Sequence, residues 1–124
     1  MTILDSIIAN KIKEVELRIK AFPQTFWEQS PWFDREVFSL SQGLKNSPTG
    51  IIAEYKRRSP SLDNINSSLS VHQVAQDYQK AGVSGMSVLT DQKYFGGSLE
   101  DLTAARAECQ IPILRKEFII DPYQ

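Results

Sequence analysis

Apolar residues at helical spacing predict a long amphipathic helix near the amino terminus. Five of them recur three or four positions apart, the spacing that places side chains on one face of an α-helix. They are Leu4, Ile8, Ile12, Val15 and Ile19. Thr2 and Asp5 have the spacing of a capping box, and Pro23 stops the pattern. The sequence therefore predicts a helix over residues 2–22.

Residues 23–49 lack a regular hydrophobic period and predict short helical pieces joined by loops. Their aromatic side chains are interspersed with polar residues. We interpret these aromatic residues as packing residues rather than as a cofactor site.

From residue 50 onward, short apolar runs alternate with helical patterns. The runs at 50–55, 85–90 and 111–116 predict buried strands. Ser70 and Ser98 each stand three positions before a residue that can complete a capping box, and so begin two predicted helices. Gly82 is placed to end the first of them. Strands that alternate with helices pair in parallel through right-handed crossovers, so the predicted fold class is α/β.

Composition and charge exclude several classes of protein. The chain has 124 residues and a formal net charge of -1, which does not favour binding to nucleic acid or to an anionic membrane surface. No apolar run approaches the length of a membrane span, and the amino terminus does not resemble a secretory signal. The single cysteine, Cys109, cannot form an internal disulfide. We interpret it as a small, buried residue at a helix end and expect a cytoplasmic protein.

Charged residues stand at the carboxyl ends of the first and third predicted strands. Glu54 and Lys56 share one face of the first strand, because side chains two apart in a strand point the same way. Lys116 and Phe118 share a face at the end of the third strand if the backbone stays extended. Ligands of α/β folds bind at these strand ends, so we expect the two lysines to meet in a pocket formed by adjacent strands. The alternative is that these residues form salt bridges at the rim or point to solvent.

Other motifs carry less weight. The basic run at 56–60 has the composition of a targeting or phosphorylation motif, but it directly extends a buried strand rather than lying in a disordered segment. His72 has no metal-ligand companion and is interpreted as a solvated surface histidine. The sequence shows no zinc-site spacing, no P-loop and no Ser/His/Asp order. The glycines within 91–97 are assigned to a turn.

Three segments, in order and at compatible spacings, resemble the signatures of indole-3-glycerol phosphate synthases. They are IIAEYKRRSPS at 51–61, SVLTD at 87–91 with YFGGS at 94–98, and PILRKEFIIDPYQ at 112–124. One departure is Glu117, where the family more often has aspartate. The segment before residue 50 matches only in kind, since the family carries extra helices before its barrel.

The resemblance implies the N-terminal part of a (β/α)8 TIM barrel, with about three strands. On this view residues 1–49 are an N-terminal helical extension, and residues 50–124 hold the first three barrel strands and two connecting helices. A family member continues for five more strands, with a catalytic glutamate on the fourth, an asparagine on the fifth and the main phosphate site after the seventh and eighth. We therefore expect the chain to be inactive alone and to need the missing C-terminal half of the barrel. Unpaired strand edges also predict self-association.

The resemblance further implies a reaction and the residues that carry it. The family closes the indole ring of 1-(2-carboxyphenylamino)-1-deoxyribulose 5-phosphate, a phosphorylated small molecule, with loss of carbon dioxide and water. By resemblance Lys116 is the general acid, Lys56 a second ammonium that holds the substrate, and Glu54 an active-site carboxylate. The expected substrate-binding residues are Ser59, Pro60, Phe95 and Phe118. The resemblance implies no cofactor and no metal.

Two other functions remain open from the sequence. One is a non-catalytic, self-associating barrel fragment. The other is a different phosphoribosyl TIM-barrel enzyme, such as phosphoribosylanthranilate isomerase. The paired lysines at the strand ends argue against the isomerase, because isomerisation relies on other acid and base residues.

Overall fold

The computed structural model describes all 124 residues as five helices and three strands. The long first helix and the three strands lie within two residues of their predicted bounds, and two short helices lie in the segment 23–49, for which helical pieces were predicted without bounds. In chain order they are α1 (Ile3–Ala21), α2 (Gln24–Glu28), α3 (Leu40–Lys45), β1 (Ile52–Tyr55), α4 (Val71–Ala81), β2 (Gly85–Leu89), α5 (Leu99–Glu108) and β3 (Ile113–Lys116).

The chain forms two compact units. One unit comprises Met1–Glu36 together with Phe118–Gln124, and the other comprises Val37–Glu117. The predicted domain division between residues 49 and 50 stays a prediction. None of the five helices combines the length and apolarity that crossing a lipid bilayer requires.

The first unit is built on α1, whose beginning confirms the predicted capping box. Thr2 N donates to Asp5 Oδ2 at 2.8 Å, and Asp5 N donates to the Thr2 hydroxyl at 3.2 Å. The backbone and side-chain hydrogen bonds from Thr2 hold the pKa of Asp5 below its ordinary value. Two orphan donors at the helix start are thereby satisfied.

The buried face of α1 differs from the predicted apolar stripe. Ile7, Lys11 and Val15, spaced four residues apart, are the buried residues of the helix. Of the predicted apolar stripe, Val15 is buried, whereas Leu4 and Ile12 are 52% and 45% exposed. A lysine can occupy the buried line because its ammonium pairs with a carboxylate one turn away, Glu14, at 2.8 Å.

The second unit is built on a parallel sheet with the strand order β1-β2-β3. In its register Glu54 lies opposite Ser87, and Leu89 lies opposite Lys116. This confirms the predicted α/β class, and three parallel strands with connecting helices are consistent with part of a (β/α) barrel. The unpaired outer edges belong to β1 and β3.

Alternate residues of the strands face opposite sides of this sheet, and one side packs against α4 and α5. Tyr55, Met86 and Val88 lie in that core together with residues of both helices. Each fully buried apolar side chain of this kind contributes about 1.5–3 kcal/mol to folding. The core also holds Cys109, the buried helix-end residue predicted from the sequence, and burial raises the pKa of its thiol. The opposite side of the sheet carries Glu54.

Helices α4 and α5 begin at the serines predicted to cap them. The hydroxyls of Ser70 and Ser98 each accept a hydrogen bond from the backbone three residues on, at 3.2 and 3.1 Å. Neither predicted capping box is completed: the Gln73 side chain donates to Asp77 at 2.9 Å, and the Asp101 carboxylate accepts from Arg57. Gly82 ends α4 with a φ of 81°, a left-handed conformation that favours glycine.

Helix α3 closes the amino-terminal ends of the strands. Leu40 packs so closely on Gly85 that a Cβ there would lie 2.4 Å from a Leu40 methyl carbon. A Cβ on Gly43 would lie 2.8 Å from the Ser84 carbonyl oxygen. These two glycines let the helix and the strand ends approach each other, which leaves the carboxyl ends as the open end of the sheet.

Candidate active site

Glu54 is the centre of the candidate site, because its two carboxylate oxygens contact two different lysines. Lys56 Nζ lies 3.1 Å from Oε1, and Lys116 Nζ donates a 2.9 Å hydrogen bond to Oε2. Ser87 Oγ donates to the same Oε2 at 3.1 Å. The three residues predicted to be catalytic therefore meet at one carboxylate. We refer to Glu54, Lys56, Ser87 and Lys116 as the carboxylate cluster.

The carboxylate cluster draws on all three strands. Glu54 lies in β1, Ser87 directly opposite it in β2, and Lys116 ends β3. Since β2 separates β1 from β3, the expectation that the two lysines come from adjacent strands was wrong. Glu54 reaches across β2 to Lys116, over the hydroxyl of Ser87. No role was predicted for Ser87, whose only signal is that it is a serine within an otherwise apolar strand.

The charges of the cluster favour an ionised carboxylate. Burial, the largest single influence, acts to raise the pKa of Glu54. Hydrogen bonds from Lys116, Lys56 and Ser87 together outweigh it, and the pKa lies below its ordinary value. Lys116 is the more accessible lysine, with a side chain 52% exposed against 30% for Lys56. Two ammonium groups and one carboxylate leave a net positive charge, which suits an anionic ligand.

Phe95 adds an aromatic ring to this site. Lys56 Nζ lies 5.9 Å from the centre of the Phe95 ring, within the range of a cation–π contact. The ring stands on the loop between β2 and α5, which Asp91 organises: its carboxylate accepts from Tyr94 N and its carbonyl from Gly97 N, both at 2.8 Å. The structure thus brings Phe95, a predicted substrate-binding residue, to the carboxylate cluster.

Gly97 is the point where this loop has no room for a side chain, because a Cβ there would lie 1.9 Å from the Leu89 carbonyl oxygen. We expect Gly97→Ala to lower the free energy of unfolding by about 1–3 kcal/mol, the usual cost of overpacking. Urea denaturation measures this change. Ser61→Ala, in an exposed loop, is the matched control and should stay within about 0.5 kcal/mol of the parent. Equal midpoints for the two variants would contradict the expectation.

The two arginines that follow the first strand hold its loop in place. Arg57 donates two hydrogen bonds to Asp101 in the first turn of α5, at 2.7 and 3.1 Å. Arg58 Nη2 donates to the backbone carbonyls of Gln92 and Lys93 at 2.9 and 3.0 Å. The basic run is thus a folded segment that joins the first loop to the second loop and to α5.

Of the remaining predicted substrate-binding residues, two lie in the first loop of the second unit and one belongs to the other compact unit. Ser59 and Pro60 lie in a tight turn closed by hydrogen bonds between Ser59 and Leu62, at 2.9 and 3.2 Å. Phe118 belongs to the other compact unit, where its carbonyl accepts from Gln124 Nε2 at 3.0 Å. Their predicted roles stay predictions.

His72 lies on α4, one of the helices that cover the other side of the sheet. His72 is exposed, as predicted, and its Nδ1 lies 3.0 Å from Glu108 Oε1 on the outer helices. No group of three or more histidine, cysteine or carboxylate side chains is arranged to hold a metal ion. The cluster itself presents ammonium, carboxylate and hydroxyl groups.

An accessible ammonium beside a carboxylate can donate a proton to an oxyanion that develops on a bound substrate. The carboxylate can orient that ammonium and receive a proton in return. The neighbouring aromatic ring offers an apolar wall for a planar ligand. The cluster thus combines acid–base groups with a binding surface for an aromatic anion.

Comparison with known proteins agrees with these observations. The family profile described as indole-3-glycerol phosphate synthase matches residues 4–124. Proteins of that name from Bacteroides thetaiotaomicron and Leptospira interrogans are each 43% identical over 122 residues, covering 98% of this chain and 47% and 45% of their own lengths. One from Salinibacter ruber is 40% identical over 126 residues, covering 47% of its length. The chain spans about half the length of the curated relatives it matches. Because the profile matches nearly every residue, the chain belongs to the indole-3-glycerol phosphate synthase family.

Proposed function

We propose that this chain supplies the amino-terminal part of an enzyme that forms indole-3-glycerol phosphate in tryptophan biosynthesis. The observation that carries the proposal is the meeting of Lys56 and Lys116 at the Glu54 carboxylate. The enzyme is a carbon–carbon lyase, and its substrate is 1-(2-carboxyphenylamino)-1-deoxyribulose 5-phosphate. Loss of carbon dioxide and water from that substrate gives the product.

Ring closure is the step that we assign to Lys116. The ring carbon that bears the carboxylate attacks the ketone carbon, and the carbonyl electrons move onto oxygen. Lys116 donates a proton to that oxygen as the charge develops. Its half-exposed side chain allows its ammonium to reach a substrate, and its hydrogen bond to Glu54 holds the ammonium at the strand ends.

Decarboxylation and dehydration follow ring closure, on the face of the sheet that carries the carboxylate cluster. The closed intermediate carries a positive charge, which the departing carboxylate neutralises as carbon dioxide leaves. The hydroxyl formed in the first step then leaves as water, while the neighbouring carbon loses a proton. We assign Lys56 to holding the anionic substrate and assisting proton transfer, and Glu54 to orienting both lysines and relaying a proton. The cation–π contact between Lys56 and Phe95 places an aromatic wall next to these groups.

We assign three further residues to binding the substrate of this reaction. Ser59 and Pro60 would contact the substrate from the first loop, and Phe118 would add a second apolar wall. The domain division at residues 1–49 and 50–124 belongs to this proposal. No cofactor enters it.

The partner that we propose is the complementary half of the barrel. The chain spans about half the length of its relatives, and β1 and β3 each have an unpaired edge. Ile52 and Leu114, on the face of the sheet that carries the carboxylate cluster, are 41% and 42% exposed. Strands of the other half would pair with both edges and cover these apolar side chains.

Complementation tests the proposal. Residues 1–124 are mixed with the separately expressed remainder of the Bacteroides thetaiotaomicron relative, and indole-3-glycerol phosphate is followed by fluorescence. A second format, which we call the chimera, joins the same two segments in one chain. We expect turnover by the chimera and by the mixture, and none by either part alone.

Three outcomes separate the alternatives. An inactive chimera that is folded by circular dichroism would contradict the proposed function. Turnover by residues 1–124 alone, in a preparation free of the intact enzyme, would contradict the need for a second half. Sedimentation could also show a stable oligomer of residues 1–124 that persists after the second half is added. That result would favour the non-catalytic, self-associating alternative.

A further inference from the structure

The residues on either side of Lys116 form a buried polar network with Thr90. Arg115 Nε donates to the Thr90 hydroxyl at 3.1 Å, and that hydroxyl donates onward to Glu117 Oε2 at 3.0 Å. Arg115 Nη2 lies 4.0 Å from the same oxygen. The Glu117 side chain is 2% exposed, so its carboxylate is costly to leave without these contacts.

This network fixes the backbone at Lys116 from the side of the sheet opposite the carboxylate cluster. Arg115 lies opposite Val88, a residue of the helix-covered core, whereas the Lys116 side chain extends to Glu54. Thr90, the residue after β2, also donates its backbone N–H to the Lys116 carbonyl at 3.1 Å. The peptide that carries Lys116 is therefore held through its own carbonyl and through both neighbouring side chains.

Backbone anchoring matters for this lysine because its side chain is long and half exposed. An unrestrained lysine side chain has many rotamers, and only a few of them bring the ammonium to Glu54. A shift of the strand end would change which rotamers reach the carboxylate. Displacement by about 1 Å of a group that must meet a reacting atom can reduce a rate by about 100-fold.

We propose that Glu117, together with Thr90 and Arg115, is a positioning residue that sets the reach of the Lys116 ammonium. The expected effect on catalysis rests on the proposed function. The expected effect on the contact between Lys116 and Glu54 does not. The relevant chemistry is a carboxylate at position 117. Glu117→Asp, which restores the residue more common in the family, should therefore preserve it, and Glu117→Gln should not.

The contact is read in residues 1–124 by carbon-detected NMR of the Glu54 carboxyl during a pH titration. In the parent, the lysines hold the pKa of Glu54 below its ordinary value. With Glu117→Gln we expect the titration midpoint to move upward, and with Glu117→Asp to stay at the parent position. Thr90→Val, which removes the bridging hydroxyl while keeping the side chain's shape, should move it in the same direction as Glu117→Gln. Glu108→Gln, at the last residue of α5, is the matched control.

The effect on catalysis is measured as kcat and KM of the chimera. We expect Glu117→Gln to lower kcat by about 10- to 100-fold with little change in KM, and Glu117→Asp to restore kcat to near the parent value. A Glu54 titration midpoint that is unchanged in both Glu117→Gln and Thr90→Val would overturn the proposal. If Glu117→Gln does not fold, the midpoint in Thr90→Val alone decides. An inactive parent chimera would count against the proposed function, and the NMR result would still decide whether Glu117 positions Lys116.

Discussion

Lys116→Met in the chimera is expected to lower kcat by about 100- to 10,000-fold, the range typical for loss of a general acid. Methionine keeps the length and apolar stem of the side chain but removes the ammonium that contacts Glu54 at 2.9 Å. KM should change much less, because other groups of the site also hold the substrate. Initial rates over a range of substrate concentrations, with indole fluorescence as the signal, separate the two constants.

Two further variants separate proton donation from charge. Lys116→Arg keeps a positive charge, but a guanidinium does not release its proton readily. We expect this variant to bind substrate and to remain slow. Recovery of more than about a tenth of the parent kcat would show that charge alone suffices and would contradict general-acid catalysis. Lys80→Met, in the last turn of α4, is the matched control and should retain full activity.

The order of helices and strands was predictable because its signals are local. A serine cap, a glycine in a left-handed conformation or a short apolar run acts within a few residues, so the sequence contains the whole interaction. The hydroxyls of Ser70 and Ser98 and the backbone of Gly82 behave as their positions predict. The parallel pairing of the strands followed from their alternation with helices.

The buried face of α1 was not predictable in the same way. Apolar spacing indicates a helix, but several apolar residues of α1 lie side by side around its surface. Which of them is buried depends on contacts made outside the helix. Lys11 illustrates the limit, because its side chain is almost fully buried although its type favours exposure. The ion pair with Glu14 offsets part of the cost of burying the ammonium, but the spacing of the two residues does not by itself predict that Lys11 is buried.

The residues of the carboxylate cluster could be predicted except for Ser87, but the contacts among them could not. Alternation along β1 places Glu54 and Lys56 on one face, and the family resemblance adds Lys116. That both lysines share one carboxylate across an intervening strand depends on strand order and register, which local patterns do not contain. The same reason explains why Ser87 and the pairing of Arg57 with Asp101 were missed.

Glu54→Gln is expected to cause the second large loss, about 100-fold in kcat/KM of the chimera. The amide keeps the shape of the side chain but no longer attracts Lys56 and Lys116, so both ammonium groups lose their common anchor. The same substitution should change how stability depends on pH. Because the pKa of Glu54 is lowered in the folded chain, its carboxylate stabilises the fold above the ordinary value of about 4.3. That contribution is lost as the pH falls through the lowered folded value.

Urea unfolding of residues 1–124 at a series of pH values tests this sign. The parent should be more stable than Glu54→Gln at pH 6, and the difference should shrink as the pH is lowered below about 4. Glu16→Gln, at an exposed position of α1, serves as the comparison for a carboxylate outside the site. A parent-to-variant difference that stays constant across the acidic range would mean that Glu54 is not held ionised by the two lysines. The carboxylate would then lack the bridging contact on which its place in the reaction depends.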